Sequence, residues 1–146
     1  MTKLENIKCE ARWNSNMRLF CVKQKEENDC ALACLATIAR YYGKKISINN
    51  LAQYTTKINS ELNIYELCNI ADEIGFEATA YQCMEDFNEK DLKLPCVAFV
   101  YNSNGKGHYI VIFKIEKEWL IIGDPAIGKK KVSRKSFWSS SMDESS

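Results

Sequence analysis

Apolar residues fall at helical spacing from Asn28 onward: Ala31, Cys34, Leu35, Ile38 and Tyr41 or Tyr42 share a face, Asn28 and Asp29 are N-cap types, and Gly43 is a stop. Cys30 falls in the first turn of that predicted helix. Ser47 is placed to cap a second, shorter helix carrying Ile48, Leu51 and Ala52. A third helix is predicted from the cap at Asn63, with Glu66 three residues on, through Ile64, Leu67, Ala71 and Ile74 to Gly75. After Gly75 the pattern changes to period two or to short solid apolar runs. Residues 76–82, 96–101, 108–115 and 118–123 are rich in Val, Ile, Phe, Tyr and Trp and read as antiparallel strands. Asn102 to Gly107 is a hairpin connection, and Asp86 to Lys93 a short helix before Pro95. Helices followed by strands predict an α+β domain.

The ends of the chain are less regular. Residues 1–20 mix charge, Asn and aromatic residues without a clear period and are expected to form an extension that packs loosely. Residues 21–138 form the predicted domain, and Ser139 to Ser146 a polar tail of low complexity. At 146 residues, 46% of them apolar, the chain can build one hydrophobic core. A formal charge of +1, with no dense basic run before Lys129 to Lys131, demands no nucleic-acid partner. The longest apolar runs fall far short of the roughly 20 residues of a bilayer-spanning helix, so no membrane span is expected. Lys3, Glu5, Lys8, Glu10 and Arg12 interrupt any signal-peptide core. Seven cysteines, at 9, 21, 30, 34, 68, 83 and 96, include no C-x-x-C pair, which argues for a reducing compartment over a disulfide framework. With one histidine in the chain, a structural zinc site is also disfavoured.

That single histidine, His108, is the only imidazole available to any Cys-His chemistry. Taken alone, a lone histidine at a strand end is an ordinary hydrogen-bonded side chain; its neighbours change the reading. If the strands on either side of Glu116 and Lys117 pair through a three-residue connection, facing residue numbers sum to 232. His108 then faces Asp124, with Cβ atoms roughly 5 Å apart. A two-residue connection would turn Asp124 to the other face unless a bulge at Gly123 restored the register. A carboxylate on one ring nitrogen fixes the tautomer and steadies the imidazolium formed when the other takes a proton. Asp124 is equally a turn residue before Pro125, and the two roles are compatible.

Among the cysteines, Cys30 is the candidate nucleophile, because unpaired amides and the positive end of the helix macrodipole favour a thiolate there. Cys34, one turn on, is expected in the core, and Cys68, Cys83 and Cys96 sit in apolar contexts. The backbone N–H of Cys30 is one candidate oxyanion donor. Gln24, six residues upstream, supplies a second if the chain between them loops back; by spacing alone it is as readily a solvated surface residue.

Several blocks follow one another along the chain: Val22-x-Gln24, Asp29-Cys30-x-x-Ala33-Cys34-Leu35, Tyr41-Tyr42-Gly43, Gly75-Phe76, His108-Tyr109-Ile110-Val111-Ile112, Asp124-Pro125-Ala126-x-Gly128 and Phe137-Trp138. As a set, over residues 20–138, they resemble the bacteriocin-processing cysteine peptidases, the papain-like domains at the N-terminus of peptidase-containing ABC transporters. The resemblance implies a papain-like α+β fold with N-terminal helices packed on a C-terminal antiparallel sheet. It implies cleavage after a double-glycine motif that ends the leader of a secreted peptide precursor, with Cys30 as nucleophile, His108 as base, Asp124 as third member and Gln24 as oxyanion glutamine. Implied partners are the precursor peptide and the membrane and nucleotide-binding domains of an ABC transporter, at the cytoplasmic face; no metal or organic cofactor is implied. Ala31 replaces a Gly common after the cysteine, and Glu61-Leu62-Asn63 replaces a Gly-containing stretch before the third helix, departures that bear on substrate preference. The alternatives are a non-catalytic leader-binding domain and another papain-like hydrolase or acyltransferase.

Overall fold

The computed structural model describes residues 2–8, 19–56, 60–82, 87–101 and 104–142. Helix α1 (Cys30–Tyr41) presents an unbroken buried run from Cys30 to Ala39. Four alanines, Ala31, Ala33, Ala36 and Ala39, keep its girth small, so neighbours approach on every side. The helix ends at Tyr42 and Gly43, the glycine at φ 87°, a left-handed position that a side chain would strain. In α2 (Ile48–Ala52), the Ser47 hydroxyl accepts the Asn50 amide at 3.0 Å. In α3 (Ile64–Glu73), Asn63 and Glu66 form the capping box predicted from their spacing.

Strands β1 (Thr2–Lys8), β2 (Glu77–Gln82), β3 (Cys96–Tyr101), β4 (Gly107–Ile115), β5 (Trp119–Asp124) and β6 (Gly128–Ser133) form one sheet in the order β2-β1-β3-β4-β5-β6. Every neighbouring pair is antiparallel. Helix α4 (Arg134–Met142) follows β6 directly. Alternation along β4 divides the core. Tyr109, Val111 and Phe113 join a cluster with α1, α2 and α3 on one face, while Ile110 and Ile112 join Cys96, Ala98, Leu120 and Ile122 on the other. Phe137 and Trp138 of α4 pack on the second cluster. Burial on both faces explains why β4 reads as a solid apolar run. Among the described residues no helix is long and apolar enough to cross a membrane.

The fold is the expected α+β arrangement, with four local corrections. Thr2–Lys8, read as part of a loose extension, is a strand between β2 and β3, so part of the N-terminal segment belongs to the sheet. Strand β6 went unread because Lys129 to Lys131 lie in it; it is the last strand of the sheet among the described residues, a position where charged side chains are at home. The expected polar tail from Ser139 continues α4 as far as Met142. The predicted helix over 86–93 is a single 3₁₀ turn, Glu89–Asp91, with Asp86 outside the described residues.

One polar side chain is buried within α1. Thr37, 1% exposed, donates its hydroxyl to the Ala33 carbonyl at 2.9 Å and accepts the Val22 amide at 2.9 Å. The first bond stays inside the helix; the second ties the incoming chain, two residues before Gln24, onto its flank. Thr37→Val keeps the shape but leaves the Val22 amide without its acceptor. Chemical denaturation should show a loss of about 1–3 kcal/mol; an unchanged midpoint would mean that water replaces the hydroxyl.

Candidate active site

A 3₁₀ turn, Glu27–Asp29, leads into α1 and makes Cys30 the first helical residue. Asp29 stands at the N-cap position, as its type suggests, yet its carboxylate turns back to accept the Glu26 amide at 3.0 Å and makes no cap bond to α1. The helix entrance is therefore not covered by its own cap side chain, and the macrodipole meets the Cys30 sulfur there. Cys30 is 4% exposed.

His108 is the second residue of β4, and Asp124 the last of β5. Their pairing differs from the expected one. Val111 faces Gly123 and Ile112 faces Ile122, and a bulge between Ile112 and Lys114 shifts the register toward the hairpin. Continued by one step, this register sets Asp124 across from Ile110, two residues from His108. Since two residues along a strand restore the same face, the two side chains meet diagonally rather than head-on. Their contact is close: His108 Nε2 lies 2.7 Å from Asp124 Oδ1, with 22% and 13% of the respective side chains exposed.

A carboxylate only accepts, so Nε2 carries the hydrogen and Nδ1 is left for the opposite side of the ring. Cys30 is the next side chain to act on the ring, through hydrogen bonding and charge. The imidazole thus stands between sulfur and carboxylate. Its pKa is pushed from 6.5 up to about 9, first by the Asp124 bond and then by the Cys30 bond, against the cost of burial. For Asp124, burial opposes ionisation, but bonds from His108 and the Ala126 amide, the latter at 2.9 Å, outweigh it and hold the carboxyl below its ordinary range. Asp124 therefore serves the turn into Pro125 and the imidazole at once.

Gln24 reaches the same neighbourhood. Its backbone amide donates to the Pro125 carbonyl at 2.9 Å, fastening the segment before α1 to the turn after Asp124. Its side-chain Oε1 is buried without a hydrogen-bond partner. Oε1 is an acceptor, so any donation to an oxyanion would come from the Nε2 end of the same amide.

The other described cysteines lie away from the helix entrance or deeper in the core. Cys34 is fully buried and its thiol is pushed well above its ordinary value, by burial first and then by Cys30, Cys21 and Asp124. Burial, followed by Asp72, pushes Cys68 to about 11. Burial and then Asp124 raise Cys21, and Cys96 has no exposed surface. Cys9 and Cys83 lie outside the described residues.

Two residues read only as parts of a hairpin connection and an apolar run shape the site's surroundings. Gly107 is packed so closely under the Phe99 ring that a Cβ would collide with it, and Phe99 in turn meets Tyr109 edge-on at 4.9 Å. Tyr109 donates its hydroxyl to the Leu62 carbonyl at 2.8 Å, joining β4 to the segment before α3. The glycine beside His108 was a usable signal; Tyr109 was hidden within an apolar run.

Because the chain has one histidine, its imidazole can be titrated without assignment ambiguity. Wild-type His108 should titrate near 9 by NMR, and Asp124→Asn should bring it down toward 6.5. A folded-state value above the unfolded one stabilises fully below about 6.5 and is lost as pH rises through about 9. The stability gap between wild type and Asp124→Asn should therefore close across that window. Equal titration of both proteins would contradict the ion-pair geometry.

Comparison with known proteins gives a consistent picture. Residues 18–140 match the Peptidase C39 family. Over 109 residues the chain is 30% identical to the lactococcin-G-processing and transport ATP-binding protein LagD of Lactococcus lactis, covering 74% of this chain but only 16% of that protein. The crystal structure of the peptidase domain of Streptococcus ComA, a bifunctional ABC transporter of a quorum-sensing pathway, superposes with a TM-score of 0.75 at 26% identity, covering 86% of this chain and 93% of that one. A double-glycine-motif protease from an AMS/PCAT transporter, solved with its leader peptide, gives 0.72 at 25% identity, with 88% and 90% covered. With the family match spanning most of its length and the Cys30, His108 and Asp124 side chains gathered at one helix entrance, the chain belongs to the Peptidase C39 family of cysteine peptidases.

Proposed function

We propose that this chain is a papain-like thiol endopeptidase that removes the leader from a secreted peptide precursor by cutting after a double glycine. The observation that carries the reading is the imidazole held between the Cys30 sulfur and the Asp124 carboxylate. His108 Nδ1 takes the proton of Cys30, and the thiolate attacks the carbonyl carbon of the second glycine. The developing oxyanion accepts from the Cys30 backbone N–H and the Gln24 side-chain amide. The tetrahedral intermediate collapses, the amine departs with the proton from His108, and a thioester to the leader remains. Water, deprotonated by His108, then releases the leader as an acid and restores the thiol.

A substrate groove is available beside these residues. An open cavity of about 300 Å³ runs from His108 and Asp124 along Val100, Ile110, Ile122, Val132 and Phe137. Its apolar floor suits the apolar face of a leader helix. Relatives described as bacteriocin processing and transport proteins, and the leader-bound neighbour, support this choice of substrate. By the same likeness the domain works at the cytoplasmic face, joined to or serving the membrane and nucleotide-binding parts of an ABC transporter.

Incubation with a precursor whose leader ends in Gly-Gly should yield a single cut after the second glycine by mass spectrometry. Cys30→Ala should abolish the cut while leaving leader binding intact, whereas a purely binding domain would have no turnover to lose. Gln24→Ala should lower kcat about 100-fold with little change in KM, as removal of one oxyanion donor does. An intact precursor after incubation with folded wild-type protein would overturn the assignment.

A further inference from the structure

A second cavity, about 340 Å³, lies by the helix-bearing face of the sheet and is lined by Glu61, Leu62, Asn63, Ile64, Phe99 and Tyr109. Apart from Asn63, whose side chain caps α3, its walls are apolar, and they are fixed. Leu62, Ile64 and Tyr109 are at most 8% exposed, and the Tyr109 hydroxyl is tied to the Leu62 carbonyl. At the rim stands the exposed carboxylate of Glu61. Lys106, which feels that charge, is ion-paired to Glu27 on the turn leading into α1. The cavity is also close to the nucleophile: Tyr109 follows His108 in β4, and Tyr109, Leu62 and Ile64 belong to the same buried cluster as Cys30.

We propose that this cavity is a specificity subsite for a basic side chain of the substrate, lysine or arginine, borne by a residue within about three positions, roughly 10 Å of extended chain, of the cleaved bond. The aliphatic stem lies along Leu62, Ile64, Phe99 and Tyr109 while the cation meets Glu61, an arrangement that matches the divided character of such side chains. A plain apolar side chain would fill the walls but leave the carboxylate unanswered, and an acidic one would be repelled. The inference rests on the peptidase reading above and adds a charge preference to it.

The test uses one peptide sequence containing Gly-Gly, with Lys, Leu or Glu placed in turn at each variable position within three of the cleaved bond. Values of kcat/KM are measured for the wild type, Glu61→Gln and Glu61→Lys. At one position Lys should exceed Glu by about fivefold, the combined effect of an attraction between exposed charges and the repulsion that it replaces. Glu61→Gln should bring the two toward equality, and Glu61→Lys should reverse them. Cleavage of all peptides with no Lys preference, a best rate with Leu, or a preference unmoved by Glu61→Lys would overturn the subsite and leave the peptidase standing. Failure to cleave any peptide would remove both.

Discussion

One imidazole ring has to be held on two sides by elements that are far apart in sequence, and much of the architecture serves that requirement. The sulfur comes from the first residue of α1, the carboxylate from the last residue of β5, and the ring from the second residue of β4. None of the three positions lies in the middle of its element. They converge at the edge where α1 begins, β4 enters and β5 leaves the sheet, so the packing of α1 on the sheet sets the distance between sulfur and nitrogen. The buried alanines of α1 allow that close packing, and Leu35 and Ile38, with no exposed surface, anchor it. Burial of side chains of this size stabilises by about 1.5–3 kcal/mol each, comparable to one charge-assisted hydrogen bond at the site, and α1 buries an unbroken run of side chains. The core therefore positions the chemistry, and the site's own bonds fix the ring's orientation.

A second set of ties holds the segment before α1. Val22 hangs on the Thr37 hydroxyl, and Gln24 on the Pro125 carbonyl. Pro125 is fully buried and follows Asp124, so the carboxylate and the candidate oxyanion amide share one anchor. This coupling gives the polar groups a common reference frame. Disturbing the Asp124 turn should consequently move the candidate oxyanion donor as well as the imidazole.

The helices were legible because their signals are local. Ser47, Asn63 and Glu66 bond the amides that their spacing indicated, and Gly43 and Gly75 take the positive φ that ends a helix. The sheet was less so. The bulge before Lys114 is a property of the paired strands and leaves no trace in the residue pattern, so the face shared by His108 and Asp124 was read correctly through a register that does not occur. Strand β1 alternates charges in sequence and reveals itself only once β2 and β3 leave a place for it. The cavity at Glu61 could not be read at all, since Phe99 and Tyr109 reach it from strands more than thirty residues away. The departure at Glu61-Leu62-Asn63 was visible, but its partners were not.

The central claim is that the Cys30 sulfur attacks the carbonyl of a terminal glycine while His108 and Gln24 manage its charge. A leader peptide ending in glycyl-glycinal, labelled with ¹³C at the aldehyde carbon, tests this directly, because addition of a thiol gives a hemithioacetal without loss of any atom. The account predicts a tetrahedral carbon signal in the NMR spectrum of the complex with the wild-type protein, absent with Cys30→Ala. An aldehyde that binds yet shows only its free and hydrated forms, or a hemithioacetal that survives the loss of Cys30, would contradict it.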